Sequence, residues 1–287
     1  MELTPLFSVL IANYNNGCYL QEAIDSVLAQ EYGNWEIVIV DDKSTDNSIE
    51  IYDKYKDDNR FHVYFNEKNE GVGYTKNRCV EKANGWICGF LDPDDVLVGE
   101  EVFGIMVKTH MDNIGASMVY SNMYQTDERL ENVKDYKSVP IGKEVSALET
   151  RSWPLHHFLT FKRDLYLKTE GIDAGMMRAV DYDMYYKLEE VGSIVHICDY
   201  LYKQRCSSHS LSLNDNAYKA ATWHAYACVQ AMKRRGMKDE SLMLFPIEGA
   251  LSREYLKGCE KVTASNIYRL GKLLVSPLLF VRKLWKK

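Results

Sequence analysis

The chain has 287 residues, 46% hydrophobic and 26% charged, with 41 acidic side chains against 35 basic ones and a formal charge of −6. That length and apolar content allow a sizeable core in one large or two fused domains, and the acidic balance argues against a general nucleic-acid binder, which needs a basic face for phosphate. Seven scattered cysteines, an odd number with no C-x-x-C pair, argue against a disulfide framework or structural zinc and for a reducing compartment.

Met1–Pro5 has no basic stretch ahead of a long apolar core, so no secretory leader is expected. Phe7–Ala12 reads as a short apolar strand, and Tyr19–Gln30 spaces Leu20, Ala23, Ile24, Val27 and Leu28 along one face of an amphipathic helix. Trp35–Val40 is a strand rich in β-branched residues. It ends in Asp41-Asp42 and the turn formers Lys43–Asp46, with a helix over Ile49–Tyr55 next. The strand Phe61–Phe65, the helix Val72–Ala83 and the strand Trp86–Leu91 complete the alternation. Strands and helices in this order imply right-handed crossovers and a mostly parallel sheet covered on both faces. Ligands of such sheets bind beyond the carboxyl ends of the strands.

Asp92-Pro93-Asp94-Asp95 follows the last of these strands directly. Three carboxylates emerging at the end of a buried strand cost several kcal/mol or more if unpaired, and a divalent cation is the usual compensation. A blander reading makes Asp94 or Asp95 the cap of a helix beginning near Val96. The second acidic pair, Asp41-Asp42, at the same end of a neighbouring strand favours a ligand site. The glycines of Asn69-Glu70-Gly71-Val72-Gly73 do not make a dinucleotide fingerprint, because the third glycine position holds Lys76 and the segment follows the third strand rather than the first.

Beyond Asp95 the pattern predicts a helix over Val98–Thr109, a short strand over Ala116–Tyr120 and a long polar loop over Asp127–Glu149. Trp153–Phe158 is aromatic and basic-tipped, which suits either a sugar-binding surface or an ordinary turn. Asp181 opens a helix over Asp181–Glu190, where an acid can simply cap or complement the helix dipole. The last nineteen residues, 269–287, hold Arg269, Lys272, Arg282, Lys283, Lys286 and Lys287, no acid, and apolar residues ending in Trp285. Gly271, Ser276 and Pro277 interrupt the stretch, so it does not span a bilayer. It suits either an interfacial segment on an anionic membrane or a helix packed on its own domain.

Five motifs in order carry a resemblance: Ser8-Val9-Leu10-Ile11-Ala12-Asn13-Tyr14-Asn15, Val38-Ile39-Val40-Asp41-Asp42-Lys43-Ser44-Thr45-Asp46, Asn69–Gly73, Phe90-Leu91-Asp92-Pro93-Asp94-Asp95 and Asp181-Tyr182-Asp183. From about Phe7 to Ser212 the chain resembles the family 2 glycosyltransferases. The resemblance implies an α/β GT-A fold, a mostly parallel Rossmann-like sheet flanked by helices. It implies a transferase domain over 1–215, with a nucleotide-binding half to about 100 and an acceptor half from about 101. A helical extension with a basic amphipathic tail would occupy 216–287. It places Ala12, Tyr14, Asp42, Lys76, Asp92 and Asp94 at a nucleotide-sugar, with Tyr14 stacked on the base, Asp42 accepting a base N–H, Asp92 on the ribose and Asp94 on Mn²⁺ or Mg²⁺.

The same resemblance makes Asp181 the catalytic base. The chain departs from the family at three points: Thr75-Lys76-Asn77 stands for Ala-Arg-Asn, Val180-Asp181 for Glu-Asp, and Ser207 for the histidine of Arg-x-His. Lys76 keeps a positive charge near the diphosphate without the guanidinium fork. His209, two residues on, is the candidate for metal or phosphate, against the alternative of a surface loop histidine. The implied activity is metal-dependent, inverting transfer from a UDP-sugar to a saccharide or lipid-linked acceptor, in cell-surface glycan synthesis on the cytoplasmic side of the membrane. The alternative is a nucleotide-sugar or carbohydrate-binding protein of the same fold without turnover.

Overall fold

The computed structural model describes residues 4–141, 146–150, 155–206, 217–238 and Pro246. The N-terminal elements alternate as β1 (Phe7–Asn13), α1 (Gly17–Leu28), β2 (Trp35–Asp41), α2 (Ser48–Tyr52, prolonged by a 3-10 turn at Asp53–Tyr55), β3 (Phe61–Phe65), α3 (Val72–Lys82) and β4 (Ile87–Phe90). They form a parallel sheet in the order β3-β2-β1-β4, with β1 flanked by β2 and β4. β1 and β2 are buried almost throughout because both faces are covered. Alternate side chains therefore serve opposite layers. Leu10, Val38, Val40 and Phe90 join Cys79 and Val80 of α3 on one face, while Val9, Ile11, Ile37 and Ile39 meet Leu20, Ile24 and Val27 of α1 on the other.

The second half adds β5 (Val96–Leu97), α4 (Val102–Asp112), β6 (Ala116–Thr126), β7 (Lys134–Tyr136), β8 (Leu159–Lys162), α5 (Arg163–Tyr166), α6 (Val180–Glu189), β9 (Ser193–Arg205) and α7 (Ala217–Arg235). Its strands continue the same sheet as β4-β8-β6-β9-β5, with β7 beside β6. β8 runs antiparallel to β4 and β6, and β5 antiparallel to β9, while β6 and β9 pair in parallel, so the first half is all parallel and the second half mixed. α6 and α7 pack on the same face as α3, through Met184, Leu188, Cys228 and Ala231.

No helix begins near Val96. Asp95 N–H donates to Asp92 O at 3.0 Å, closing a turn, and Val96 and Leu97 pair with Lys203 and Tyr202. Asp94 and Asp95 therefore cap nothing, and the following helix starts only at Val102. β6 is longer than Ala116–Tyr120 because its buried polar residues find distant partners: Asn122 Nδ2 donates to Cys198 O and Asn122 Oδ1 accepts Ser138 N–H. β7 lies within the stretch expected to be loop.

α7 is fastened to α6 by chemistry on both sides of the contact. His224 stacks on Tyr182 at 3.9 Å and shares a 2.8 Å hydrogen bond with Tyr186 Oη. At the far end Arg235 pairs with Glu189 and Glu190, and Arg234 with Glu190. The basic tail at 269–287 lies outside the described residues. Among the described residues no helix is long and apolar enough to cross a membrane.

Candidate active site

The chain leaves β1 and β2 through polar residues that hydrogen-bond to each other once the sheet ladder ends. Asn13 Nδ2 donates to Ser48 Oγ at 2.9 Å and Tyr52 Oη at 2.7 Å, and Tyr52 Oη donates to Asp41 Oδ2 at 2.7 Å. Asn15, at φ 54°, donates its N–H to Ser44 Oγ and accepts the Thr45 N–H. Gly17 N–H donates to Asp46 Oδ2 at 2.7 Å. A Cβ on Gly17 would come within 2.3 Å of Asn47 Oδ1, so only glycine lets α1 start against this loop. These bonds fix a rigid corner from which Tyr14 points outward, 48% exposed, with Ala12 half-buried beneath it. Tyr14 is not a core aromatic.

Asp42 is buried, and its carboxylate organises the approach to α3. Oδ1 accepts Asn66 Nδ2–H at 2.7 Å and Glu70 N–H at 2.8 Å, and Oδ2 accepts Gly71 N–H at 2.9 Å. Those three bonds leave one acceptor position of the usual four or so on a carboxylate.

The acidic turn is held from below by the end of β9. Tyr202 Oη donates to Asp95 Oδ2 at 2.8 Å and accepts Asp92 N–H at 3.2 Å, while Arg205 N–H donates to Asp95 Oδ1 at 2.7 Å. The Arg205 guanidinium, stacked on Tyr19, donates Nε–H to Asp94 O at 2.7 Å and reaches Glu22 Oε2 at 2.6 Å and the Glu128 carbonyl. Burial, then the charges of Asp94 and Asp92, push the Asp95 carboxyl well above the ordinary range. Burial and the neighbouring Asp92 push Asp94 up to about 6. Replacing Arg205 with Met leaves Glu22 and two carbonyls without their donor. We expect a loss of about 2–4 kcal/mol in urea melts, recovered only in part by Arg205→Lys, which lacks the fork. A loss below about 0.5 kcal/mol, the range of ordinary surface substitutions, would deny the clamp.

Lys76, on the buried face of α3, does not point into an open phosphate cradle. Its Nζ sits 2.7 Å from Asp181 Oδ1 and 3.2 Å from Asp92 Oδ1, and lies over the Phe90 ring at 4.9 Å. Burial opposes its charge, and Asp181 and Asp92 outweigh burial, so the ammonium is held well above the usual lysine range. Asp181 stands in the first turn of α6, but the cap position is Ala179 in the left-handed region and no side chain caps this end. Burial pushes the Asp181 carboxyl up, and Lys76 followed by His157 brings it below an ordinary aspartate. His157 Nε2 lies 4.0 Å from Asp181 Oδ2, and its ring stacks on Tyr202. The next acid, Asp183, is turned inward: it accepts Asp173 N–H and pairs with Lys187, so its role is to fix the loop ahead of α6.

Asp42, Lys76, Asp92, Asp94 and Asp181 thus belong to one end of the sheet, while His209 lies outside the described residues. Among the described residues no three His, Cys, Asp or Glu side chains form a complete metal site. The Asp94 carboxylate accepts no hydrogen bond from another described side chain, and its ionisation is opposed by burial and by Asp92. Such an oxygen ligand suits Mg²⁺ or Mn²⁺, which take one or two protein carboxylates and complete their shell from water and phosphate. The sequence offered Asp95 only as a helix cap and His157 only as part of an aromatic segment, and it gave Arg205 no role. Asp95 stood in the acidic run and Arg205 in the Arg-x-His position, but their partners are more than a hundred residues apart in the chain.

A parallel N-terminal sheet carrying acids at its carboxyl ends, extended by a mixed half that brings a further carboxylate to the same place, defines a glycosyltransferase of GT-A fold. The chain belongs to glycosyl transferase family 2, whose family model matches residues 8–188. It is 29% identical over 213 residues to the chondroitin synthase of Escherichia coli, covering 74% of this chain and 31% of that protein. It is 28% identical over 236 residues to the hyaluronan synthase of Pasteurella multocida, covering 81% and 24%. The chain therefore spans well under half of these relatives. Among solved structures, Staphylococcus aureus TarS 1–349 in complex with UDP-GlcNAc superposes with a TM-score of 0.64 at 18% identity, over 87% of this chain and 72% of that one. A mannosyltransferase of Pyrobaculum calidifontis in complex with GDP-Man and Mn²⁺ gives 0.61 at 17% identity, over 100% and 89%. At these identities the structural likeness is one of fold.

Proposed function

We propose that the chain is a metal-dependent, inverting glycosyltransferase that moves a sugar from a nucleoside-diphosphate donor, UDP-linked, to a hydroxyl of a saccharide or lipid-linked acceptor. The observation that carries the reading is the convergence of Asp92 and Asp181 on Lys76, at the sheet end that also carries Asp42 and Asp94. The exposed ring of Tyr14 offers a face for a flat base, and the remaining acceptor position on Asp42 matches an imide N–H. Asp92, one third exposed, is free on its outer side for ribose. Asp94 would hold Mn²⁺ or Mg²⁺, which when bound would neutralise the diphosphate and make it a leaving group without a general acid. One base then suffices, and Asp181 supplies it.

Relatives named for chondroitin and hyaluronan synthesis support a glycan acceptor, and the UDP-GlcNAc complex of TarS supports a UDP donor. The membrane reading rests on the basic apolar segment 269–287, outside the described residues. A calorimetric screen of nucleotide-sugars with and without Mn²⁺, followed by a UDP-release assay over saccharide acceptors, tests the proposal. The expected result is metal-dependent binding of a UDP-sugar and acceptor-dependent release of UDP. Binding without release over lipid-linked and saccharide acceptors would favour the non-catalytic alternative, and no nucleotide binding at all would overturn both.

A further inference from the structure

Lys76 is buried to 3% exposure, yet all of its partners are at the site. An ammonium has three donor directions, and here two go to carboxylates on different halves of the sheet while the third faces an aromatic ring. Asp92 follows β4, and Asp181 lies in α6, 105 residues after Lys76. Among the described residues no backbone hydrogen bond ties those two segments, and the side chain of Lys76 bridges their two carboxylates directly. Withdrawing it to meet a phosphate would leave both acids facing each other without a counter-charge, which is costly in so enclosed a place.

The geometry also distinguishes the two oxygens of Asp181. Oδ1 is occupied by the 2.7 Å contact with Lys76. Oδ2 faces His157 Nε2 across 4.0 Å, too far for a hydrogen bond. One oxygen is anchored and the other is available.

Resting on the reading of Asp181 as base, we propose that Lys76 is a positioning residue for the transfer, which anchors Asp181 Oδ1 opposite Asp92 and leaves Oδ2 as the atom that takes the acceptor's proton. In that step the acceptor oxygen bonds to the anomeric carbon as the bond from that carbon to the diphosphate oxygen breaks. The diphosphate leaves with the electron pair, and the hydroxyl proton passes to Asp181 Oδ2. Lys76 stays protonated throughout and touches neither reacting atom. A lysine that served as a phosphate ligand would instead act on donor affinity.

The test measures kcat, KM and calorimetric UDP affinity in Mn²⁺ for wild type, Lys76→Met, Lys76→Arg, Asp181→Asn and the Lys76→Met/Asp181→Asn double variant, each with its melting temperature. Lys76→Met should lower kcat by about 10²-fold or more, the scale of a mispositioned base, with UDP affinity within about threefold of wild type. Lys76→Arg, which restores the charge, should recover most of that loss. In the Asp181→Asn background the second substitution should cost less than about threefold, because the lysine then has no base to position. Weaker UDP binding with kcat largely kept would overturn the proposal and make Lys76 a phosphate ligand. Additive losses in the double variant would also overturn it. If Lys76→Met does not fold, the comparison of Asp181→Asn with the double variant, in which the acid's charge is also removed, still decides. Near-wild-type turnover of Asp181→Asn would instead remove the base assignment itself, so the two failures are distinguishable.

Discussion

Transfer by Asp181→Asn is expected to fall about 10²–10⁴-fold while UDP affinity in Mn²⁺ is retained. The amide keeps the shape of the carboxylate and an oxygen for Lys76, but cannot accept a proton. Lys76 keeps Asp92 as its counter-charge, so the donor side is preserved. The low pKa of Asp181, with burial outweighed by Lys76 and then His157, makes it a weak base that is ionised at neutral pH. A weak base is sufficient here, because the acceptor hydroxyl becomes strongly acidic as its oxygen bonds to the anomeric carbon, and the proton need move only late. Because the folded-state pKa is lowered, ionised Asp181 contributes stability above the unfolded-state pKa, and that contribution is lost as pH falls through the folded value. The variant should therefore melt lower than wild type at pH 7, with the gap closing at acid pH. Turnover and calorimetry on one preparation separate chemistry from folding: near-wild-type turnover would strike Asp181 from the site.

The first hundred residues were legible because β1, β2 and β4 are buried on both faces. Such strands appear as unbroken runs such as Val38-Ile39-Val40, and the polar residues that end them mark the ligand edge. The second half was less so. Val96-Leu97 becomes a strand only because β9 arrives beside it a hundred residues later, and local propensity carries no trace of that partner. β6 continues through Ser121 and Asn122, polar residues that would end a strand if exposed but are answered here by Phe158, Ser138 and Cys198.

The site divides in the same way. Its acids were readable from composition and position, Asp41-Asp42 and Asp92–Asp95 each closing an apolar run. What each acid is bonded to was not. Asp95 and Arg205, Asp92 and Tyr202, and Asp181 and Lys76 are long-range pairs. Residue type alone left Lys76 a candidate for phosphate, where the fold gives it two carboxylates.

Asp94→Asn should make the protein more stable above pH 6 and at the same time abolish the metal dependence of donor binding. Burial first, and Asp92 second, raise the folded-state pKa of Asp94 to about 6, above the roughly 3.9 of an unfolded chain. Between those values the unfolded chain has released this proton and the folded protein still holds it, so stability falls as pH rises through that window. The full penalty is on the order of 2–3 kcal/mol and is reached above pH 6. Asparagine cannot ionise, so the variant should match wild type near pH 4, gain through pH 5–6 and keep its advantage at pH 7–8 in EDTA. Adding Mn²⁺ with UDP should then raise the wild-type melting temperature, by about 2.7 kcal/mol equivalent at a hundredfold excess over Kd, and leave Asp94→Asn almost unmoved. A stability cost relieved only by the cation and UDP together would mark Asp94 as a ligand. Scanning fluorimetry across pH 4–8 tests it: equal melting of the two proteins at pH 8 in EDTA, or an equal rise of both with Mn²⁺ and UDP, would overturn the assignment.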